Sequence, residues 1–240
     1  MEKSKSIIVS ASIFAIGIII AGWMLSAGVR HFKDSERVVV VKGVSERQVS
    51  ADRVIWPLTY KQVGNNLPQL YTTIESTNTK IVNFLTTNGI SIEEITIAPA
   101  EVFDNETERY RGPDMSSYRY NVTAVITVST DKVDKVVALM SRQSDLLKQG
   151  IAVSSTGDYR YATQFDFTSN ALTGIKPAMI EEATKNARTA GEKFAVDSQS
   201  ELGKIKTANQ GQFTISDRDA NTPSIKIVRV VTTVEYYLKD

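Results

Sequence analysis

An unbroken run of 23 uncharged residues, Ile7 to Val29, constrains this chain more than any other stretch. As a helix it extends about 34 Å at 1.5 Å per residue, slightly more than the roughly 30 Å hydrocarbon core of a bilayer. Lys3 and Lys5 precede it, and Arg30, His31 and Lys33 follow. Trp23 falls near the far end, where an amphipathic ring sits at headgroup depth. The run is longer than the roughly 7–15 apolar residues of a signal-peptide core, so the expectation is an uncleaved transmembrane anchor. Residues 1–6 are then a cytoplasmic tail, 30–37 a linker and 38–240 a folded domain on the far side. Ser26-Ala27-Gly28 offers the small residues of a cleavage site, which keeps a cleaved, secreted form as the alternative. Small residues within a span let helices approach closely. Gly17, Ala21, Gly22 and Trp23 are therefore the candidate contacts of the span with lipid and with neighbouring helices.

The chain carries 28 Lys+Arg against 27 Asp+Glu. Only Lys3, Lys5 and Glu2 belong to residues 1–29, so the folded region is neutral. It lacks the basic field that condenses on phosphate backbones, and a nucleic-acid partner is not expected. The absence of cysteine removes disulfides, thiolate metal sites, thiol nucleophiles and a lipid-modified cysteine. The single histidine, His31, sits one residue past the apolar run, where an interfacial role suffices. No imidazole cluster can form within one chain, and a Ser-His-acid triad has only His31 to draw on.

Hydropathy patterning beyond residue 37 predicts an α+β fold. Val38 to Val41 opens a first strand, and Gln48 to Val63 a second, in which Val49, Val54, Trp56, Leu58 and Tyr60 partly alternate. Pro57 inside it predicts an edge position or a bulge. After the Gly64-Asn65-Asn66 turn, Leu67, Leu70, Ile74, Thr77, Ile81, Phe84 and Leu85 repeat at helical spacing up to an Asn88-Gly89 stop. Ile90 to Phe103 reads as a strand, 104–117 as a polar loop, and Tyr118 to Thr130 as a strand with Tyr118, Tyr120, Val122, Ala124, Ile126 and Val128 on one face. A second helix is predicted over 131–148, a strand over 151–167 and a third helix over 176–199 with Pro177 in its first turn. The helical faces are Val133, Val136, Val137, Met140 and Leu147, then Met179, Ala183, Ala187, Ala190 and Phe194. Two last strands, 203–216 and 224–238, complete the order β-β-α-β-β-α-β-α-β-β: three helices and a mainly antiparallel sheet whose strands pair as hairpins.

Side chains that carry chemistry are sparse. Glu93-Glu94 and the set Glu101, Asp104, Glu106 and Glu108 are carboxylates without the dense spacing of a cation loop, and read as a solvated strand end and loop. A hydrolase built on residues 101–108 needs two acids facing each other across a cleft. Ser129-Thr130-Asp131-Lys132 matches Ser-x-x-Lys, yet lies where Ser, Thr and Asp cap a helix. No nucleophile elbow, phosphate-cradling loop or dinucleotide fingerprint is present. Catalytic, cofactor and metal sites are accordingly not expected. Two Tyr-Arg-Tyr segments stand out: Tyr118-Arg119-Tyr120 and Tyr159-Arg160-Tyr161. Strand alternation puts each tyrosine pair on one face and the arginine on the other. These six residues are either an aromatic core face or an interface surface, since Tyr and Arg are enriched at binding hot spots.

The layout resembles the SIMPL-domain family of bacterial periplasmic and outer-membrane-associated immunogenic proteins. The residues that carry the resemblance are Val39-Val40-Val41-Lys42-Gly43 with the Gln48-to-Tyr60 strand, and Tyr120 to Val128 leading into Thr130-Asp131-Lys132-Val133. The third helix adds Ala183-Thr184-Lys185-Asn186-Ala187-Arg188, continuing to Glu201-Leu202-Gly203-Lys204-Ile205, and the last strand adds Val230-Val231-Thr232-Thr233-Val234. The resemblance spans about residues 38–238. It implies an envelope protein of α+β fold with no catalytic residues to carry over, a large ring-shaped homo-oligomer in some members, and a loose link to oxidative stress. The retained span departs from members with a cleaved signal. The expectation is a non-enzymatic, inner-membrane protein whose domain lies in the periplasm and whose partners are its own copies. A periplasmic binding module for a protein or envelope polymer is the alternative, and a carboxylate hydrolase the weaker one.

Overall fold

The computed structural model describes residues 15–26, 37–107, 118–154 and 161–239 of the 240-residue chain. Helix α1 covers 15–26 with every side chain exposed, and is the described part of the predicted span. Residues 7–14 and 27–29 of that span, and His31, lie outside the described residues. Among the described residues no helix is long and apolar enough to cross a membrane. The order beyond α1 is β1 (Val38–Ser50), β2 (Arg53–Gly64), α2 (Leu67–Thr87), a 3-10 turn (Ile92–Glu94), β3 (Ile95–Ile97), β4 (Glu101–Asp104), β5 (Tyr120–Thr130), α3 (Val133–Ser141), α4 (Ser144–Leu147), β6 (Gln164–Asp166), α5 (Ser169–Asp197), β7 (Glu201–Gln210), β8 (Thr214–Asp217) and β9 (Ile225–Lys239). The described residues thus form a mixed α/β chain with antiparallel sheets and five helices, where the sequence predicts three beside the anchor. Its contacts group into two compact units. One comprises Met1–Arg47, Ile175–Thr214 and Val228–Asp240, and the other Gln48–Gly174 and Ile215–Ile227.

In the first unit β9 lies between β1 and β7. Arg37 O accepts from Leu238 N at 2.9 Å, and Glu46 lies against Arg229 at 3.9 Å, so β1 and β9 run antiparallel. β7 is antiparallel to β9 as well, with register shifts between Leu202 and Thr207. Helix α5 covers one face of this sheet through Met179, Ala183 and Ala187, small or unbranched residues that bring two backbones close. A Cβ on Gly43 would lie 1.8 Å from the Ala183 carbonyl oxygen, which is why glycine stands there. The core holds Val41, Ala187, Val234 and Tyr236. Glu182 on α5 accepts from Ser45 Oγ at 2.9 Å and pairs with Arg47 at 3.3 Å. Those bonds, Ser45 first, hold the Glu182 carboxyl below its usual range. Two sequence expectations fail here. α5 begins seven residues early, with Pro177 inside the helix and not in its first turn. Phe194, expected on the packed face, is 59% exposed, because the stripe at four-residue steps leads from Ala187 to Gly191 and Ala195.

The second unit is a sheet in the order β3-β5-β2-β6, with β4 also on β5. Val54, Trp56, Leu58 and Tyr60 of β2 and Val122, Ala124, Ile126 and Val128 of β5 share its buried face. α2 and α3 supply Leu70, Ile74, Ile81, Leu85, Val133, Val136 and Leu139 to the same core. α2 starts where predicted, with Asn66 Oδ1 accepting from Gln69 N at 3.2 Å, and ends before Gly89, whose φ of +87° suits glycine. Tyr60 Oη donates to Asn78 Oδ1 at 2.7 Å and lies 3.1 Å from Ile74 O, fixing α2 to the sheet.

Several elements differ from the sequence expectation. The predicted strand 90–103 divides into the 3-10 turn, β3 and β4, and the helix 131–148 divides into α3 and α4. Within α3 the buried face is Val133, Val136 and Leu139 with Val137 exposed, and after the division Leu146 is buried while Leu147 is exposed. Of the predicted strand 151–167, β6 and a bridge from Ser154 to Thr59 are present, and 155–160 lie outside the described residues. β1 and β2 do not pair as a hairpin: β2 is bonded to β5 and β6. Pro57 is in regular register with Thr127, so no bulge forms. Thr59, two residues on, turns its carbonyl away from β5 towards Ser154 N, 2.7 Å away. By alternation the Pro57 nitrogen faces that side too, where β6 pairs only with Arg53–Ile55 and no ladder bond is lost.

Candidate functional site

Each end of the β2–β5 ladder carries a polar cluster of the second unit. At the Arg53 end an open cleft of about 530 Å³ is lined by Asp52, Arg53, Glu94, Thr130, Asp131 and Thr168, among others. Two of its three carboxylates, Asp52 and Glu94, already hold structural donors. Asp52 accepts from Thr168 N at 2.7 Å and from Thr168 Oγ1 at 2.5 Å. Thr168 O in turn accepts the first helical bond of α5, from Leu172 N at 2.9 Å, so Asp52 anchors that helix start. Glu94 is a hub rather than the solvated strand end expected of it. Its Oε1 accepts from Thr130 Oγ1 at 2.6 Å, and its Oε2 from Ser91 N at 2.7 Å and Lys132 Nζ at 2.9 Å. Partial burial pushes the Glu94 carboxyl up, but the bonds from Thr130, Lys132 and Ser91 outweigh it and bring the pKa down to about 2.

The Ser129–Lys132 segment also departs from its expected capping role. Thr130 Oγ1 accepts from Lys132 N at 3.1 Å, a local turn ahead of the helix, and the residue at the start of α3, Lys132, makes no side-chain cap. Ser129 Oγ accepts from Arg53 Nη2 at 3.2 Å. A sequence signal for the Glu94 hub was present: Ser91-x-x-Glu94 has the spacing of a capping box. What the sequence did not announce was the long-range partner, Thr130.

At the Gly64 end, about 36 Å away at 3.3 Å per strand residue, Arg119 is held on every side. Its Nε lies 3.2 Å from both Asp104 oxygens and its Nη2 2.9 Å from Oδ2. Its Nη1 reaches Glu106 Oε2 at 2.8 Å, its backbone N–H donates to Asn65 Oδ1 at 2.8 Å, and its guanidinium carbon stands 4.9 Å from the Tyr120 ring centre. Tyr120 is half-buried and packs on the core, whereas Tyr118, outside the strand, is 47% exposed. Of this first segment, the aromatic-face reading therefore applies to Tyr120 and not to Tyr118. Val63 and Phe103 flank Asn121 across the ladder, and both stay exposed, at 45% and 48%. Asn105 Nδ2 donates to Tyr118 O at 2.7 Å and closes the strand ends. These strand ends thus form a rim that carries exposed apolar and aromatic side chains and an arginine whose geometry is set in advance.

Of the second Tyr-Arg-Tyr segment, Tyr159 and Arg160 lie outside the described residues. Tyr161 is partly buried, with its Oη 3.4 Å from Glu101 Oε1. Asp104 and Glu106 converge on Arg119 rather than facing each other across a cleft, and Glu108 lies outside the described residues. Among the described residues no group of three His, Asp or Glu side chains stands close enough to hold a metal ion. On α1, Gly17, Ala21, Gly22 and Trp23 are all exposed, and a Cβ on Gly17 or Gly22 would meet nothing within 4 Å.

Comparison with known proteins adds one finding. The family model described as "SIMPL: Protein of unknown function (DUF541)" matches residues 39–235, nearly all of both units. No curated protein matches the chain.

Proposed function

The chain belongs to the SIMPL family, and from that premise we propose that it is a non-catalytic, membrane-tethered assembly protein of the bacterial cell envelope. Copies anchored by Ile7–Val29 in the inner membrane hold their folded units in the periplasm and associate with one another into a closed, ring-shaped homo-oligomer. The observation that carries this reading is the rim at the Gly64 end of β2. Exposed Val63, Phe103 and Tyr118 lie at the same strand ends as an Arg119 already fixed by Asp104 and Glu106. Exposed apolar side chains on the same rim as a pre-positioned arginine suit a binding hot spot, because the arginine loses little rotamer freedom on contact. A ring also needs two different surfaces on each copy. The role of the Asp52 and Glu94 carboxylates as structural acceptors agrees with a scaffold rather than a general acid or base.

The test is the mass of the full chain extracted in detergent, measured by light scattering, for the wild type and for a Phe103→Ser/Tyr118→Ser double variant. The expected result is a discrete particle of many copies that the double variant reduces to smaller species. A monomeric wild type at micromolar concentration defeats the reading. The same rim favours a second one, a docking surface for a different envelope component. It is distinguished by a monomeric wild type that loses capture of that component in the double variant.

A further inference from the structure

The sheet of the first unit has two outer edges, and they are not equivalent. In β1, Arg37 turns its carbonyl towards β9, so by alternation Val44 turns its own away from it. That outward carbonyl accepts from Asn186 Nδ2 on α5 at 2.8 Å. The helix also presses on Gly43 and bonds Ser45 through Glu182. This edge is blunted by the chain itself.

The β7 edge is guarded over only half its length. Lys204 and Lys206, together with the register shifts between Leu202 and Thr207, are the usual devices against edge pairing. From Thr207 to Gln210 the strand is regular, uncharged and exposed. Gly211 N donates to Val231 O at 2.8 Å, so Thr207 and Asn209 also face β9 while Ala208 and Gln210 direct their N–H and C=O groups outward.

We infer that this segment is the pairing edge for β7 of a second copy of the chain, antiparallel about a two-fold axis at Asn209. The inference rests on the assembly reading and names one of its contacts. Both outer strands oppose β9, so they point the same way, and head-to-tail pairing would join β1 to β7 in parallel along an edge that α5 blocks. One open edge can meet only its like, and two like edges meet antiparallel. Centring on Asn209 sets Ala208 opposite Gln210 twice, giving two hydrogen-bonded pairs. It sets Thr207 against Gly211 and leaves both lysines beyond the regular ladder. The amides of Asn209 and Gln210 supply donors and acceptors in equal number, a self-complementary set.

Two substitutions in the full, detergent-extracted chain test this. Ala208→Pro removes an outward N–H that β9 does not use, so the fold is expected to survive by circular dichroism while the particle falls to smaller species. Asn209→Cys, the only thiol in an otherwise cysteine-free chain, faces its symmetry mate in a non-hydrogen-bonded pair. Its Cα separation of about 4.5 Å is within disulfide range. Mild oxidation is expected to give a covalent dimer on a non-reducing gel. An oligomer that survives Ala208→Pro, together with an Asn209→Cys chain that stays uncrosslinked, overturns the edge while leaving assembly intact; capture of a foreign strand gives that same result. A monomeric wild type removes the assembly reading itself. Where the proline variant fails to fold, the crosslink decides.

Discussion

Replacing Gly43 with alanine adds one methyl group and should unseat a helix. The new Cβ would lie 1.8 Å from the Ala183 carbonyl oxygen, 2.4 Å from the Ala187 nitrogen and 2.9 Å from the Ala187 Cβ. The first two contacts are backbone atoms of α5, which cannot rotate aside as a side chain does. Relief requires the helix to move off the sheet by more than 1 Å, roughly the shortfall from ordinary contact distance. That loosens the packing among Val41, Ala187, Val234 and Tyr236, and lengthens the 2.8 Å bond from Asn186 to Val44. Overpacking of this kind costs about 1–3 kcal/mol, and rigid backbone on the receiving side puts the expected cost at about 3 kcal/mol. Gly174→Ala is the matched control. Its Cβ would meet nothing within 4 Å inside α5, so it should stabilise by up to about 1 kcal/mol. Urea unfolding followed by circular dichroism reads both, and hydrogen exchange along 175–197 locates the loss. Equal midpoints for Gly43→Ala and wild type would refute the close approach of β1 and α5.

Other perturbations probe the second unit. Glu94→Gln should cost about 1–2 kcal/mol at pH 7: a shift from 4.5 to about 2 corresponds to roughly 3 kcal/mol, reduced because Lys132 is partly solvated. Since the folded pKa is the lower one, the wild-type advantage is present above pH 4.5 and fades as pH falls towards 2; stability curves of the two proteins that do not converge in acid would contradict this. Asp52→Ala, which frees both Thr168 donors, should cost about 2 kcal/mol and raise amide exchange at residues 169–172, leaving α2 unaffected. Tyr60 is pushed up to about 12 by burial, so the 295 nm titration should lose its last component in Tyr60→Phe.

Parts of this fold were legible because they depend on local rules. The α2 face of Leu70, Ile74, Thr77, Ile81 and Leu85 and the β5 face of Val122 to Val128 follow from periodicity against a single core. Turns were harder. Ser91 and Glu94 bend the chain inside an apolar run that reads as one strand, and α5 continues upstream of Pro177 because Asp52, far away in sequence, holds Thr168. Pairing was legible only between neighbours in sequence: the expected partners 90–103 with 118–130 and 203–216 with 224–238 do meet, as β3 and β4 on β5 and as β7 and β8 on β9. That β1 lies on β9 and β2 on β5 depends on which long-range partners complete each core, and no local pattern encodes it. For the site, Tyr118-Arg119-Tyr120 was visible as composition, but the role of Asp104 and Glu106 in fixing Arg119 emerged only once β4 and β5 were placed side by side. Glu94 looked like one acid of a solvated pair until Thr130 was brought against it.

Self-association is the claim on which the functional account depends, and particle mass tests it most directly. The full chain, extracted from membrane in detergent and measured by light scattering at micromolar concentration, is expected to give a single discrete species of many copies. A mass of one chain plus its detergent would contradict the account.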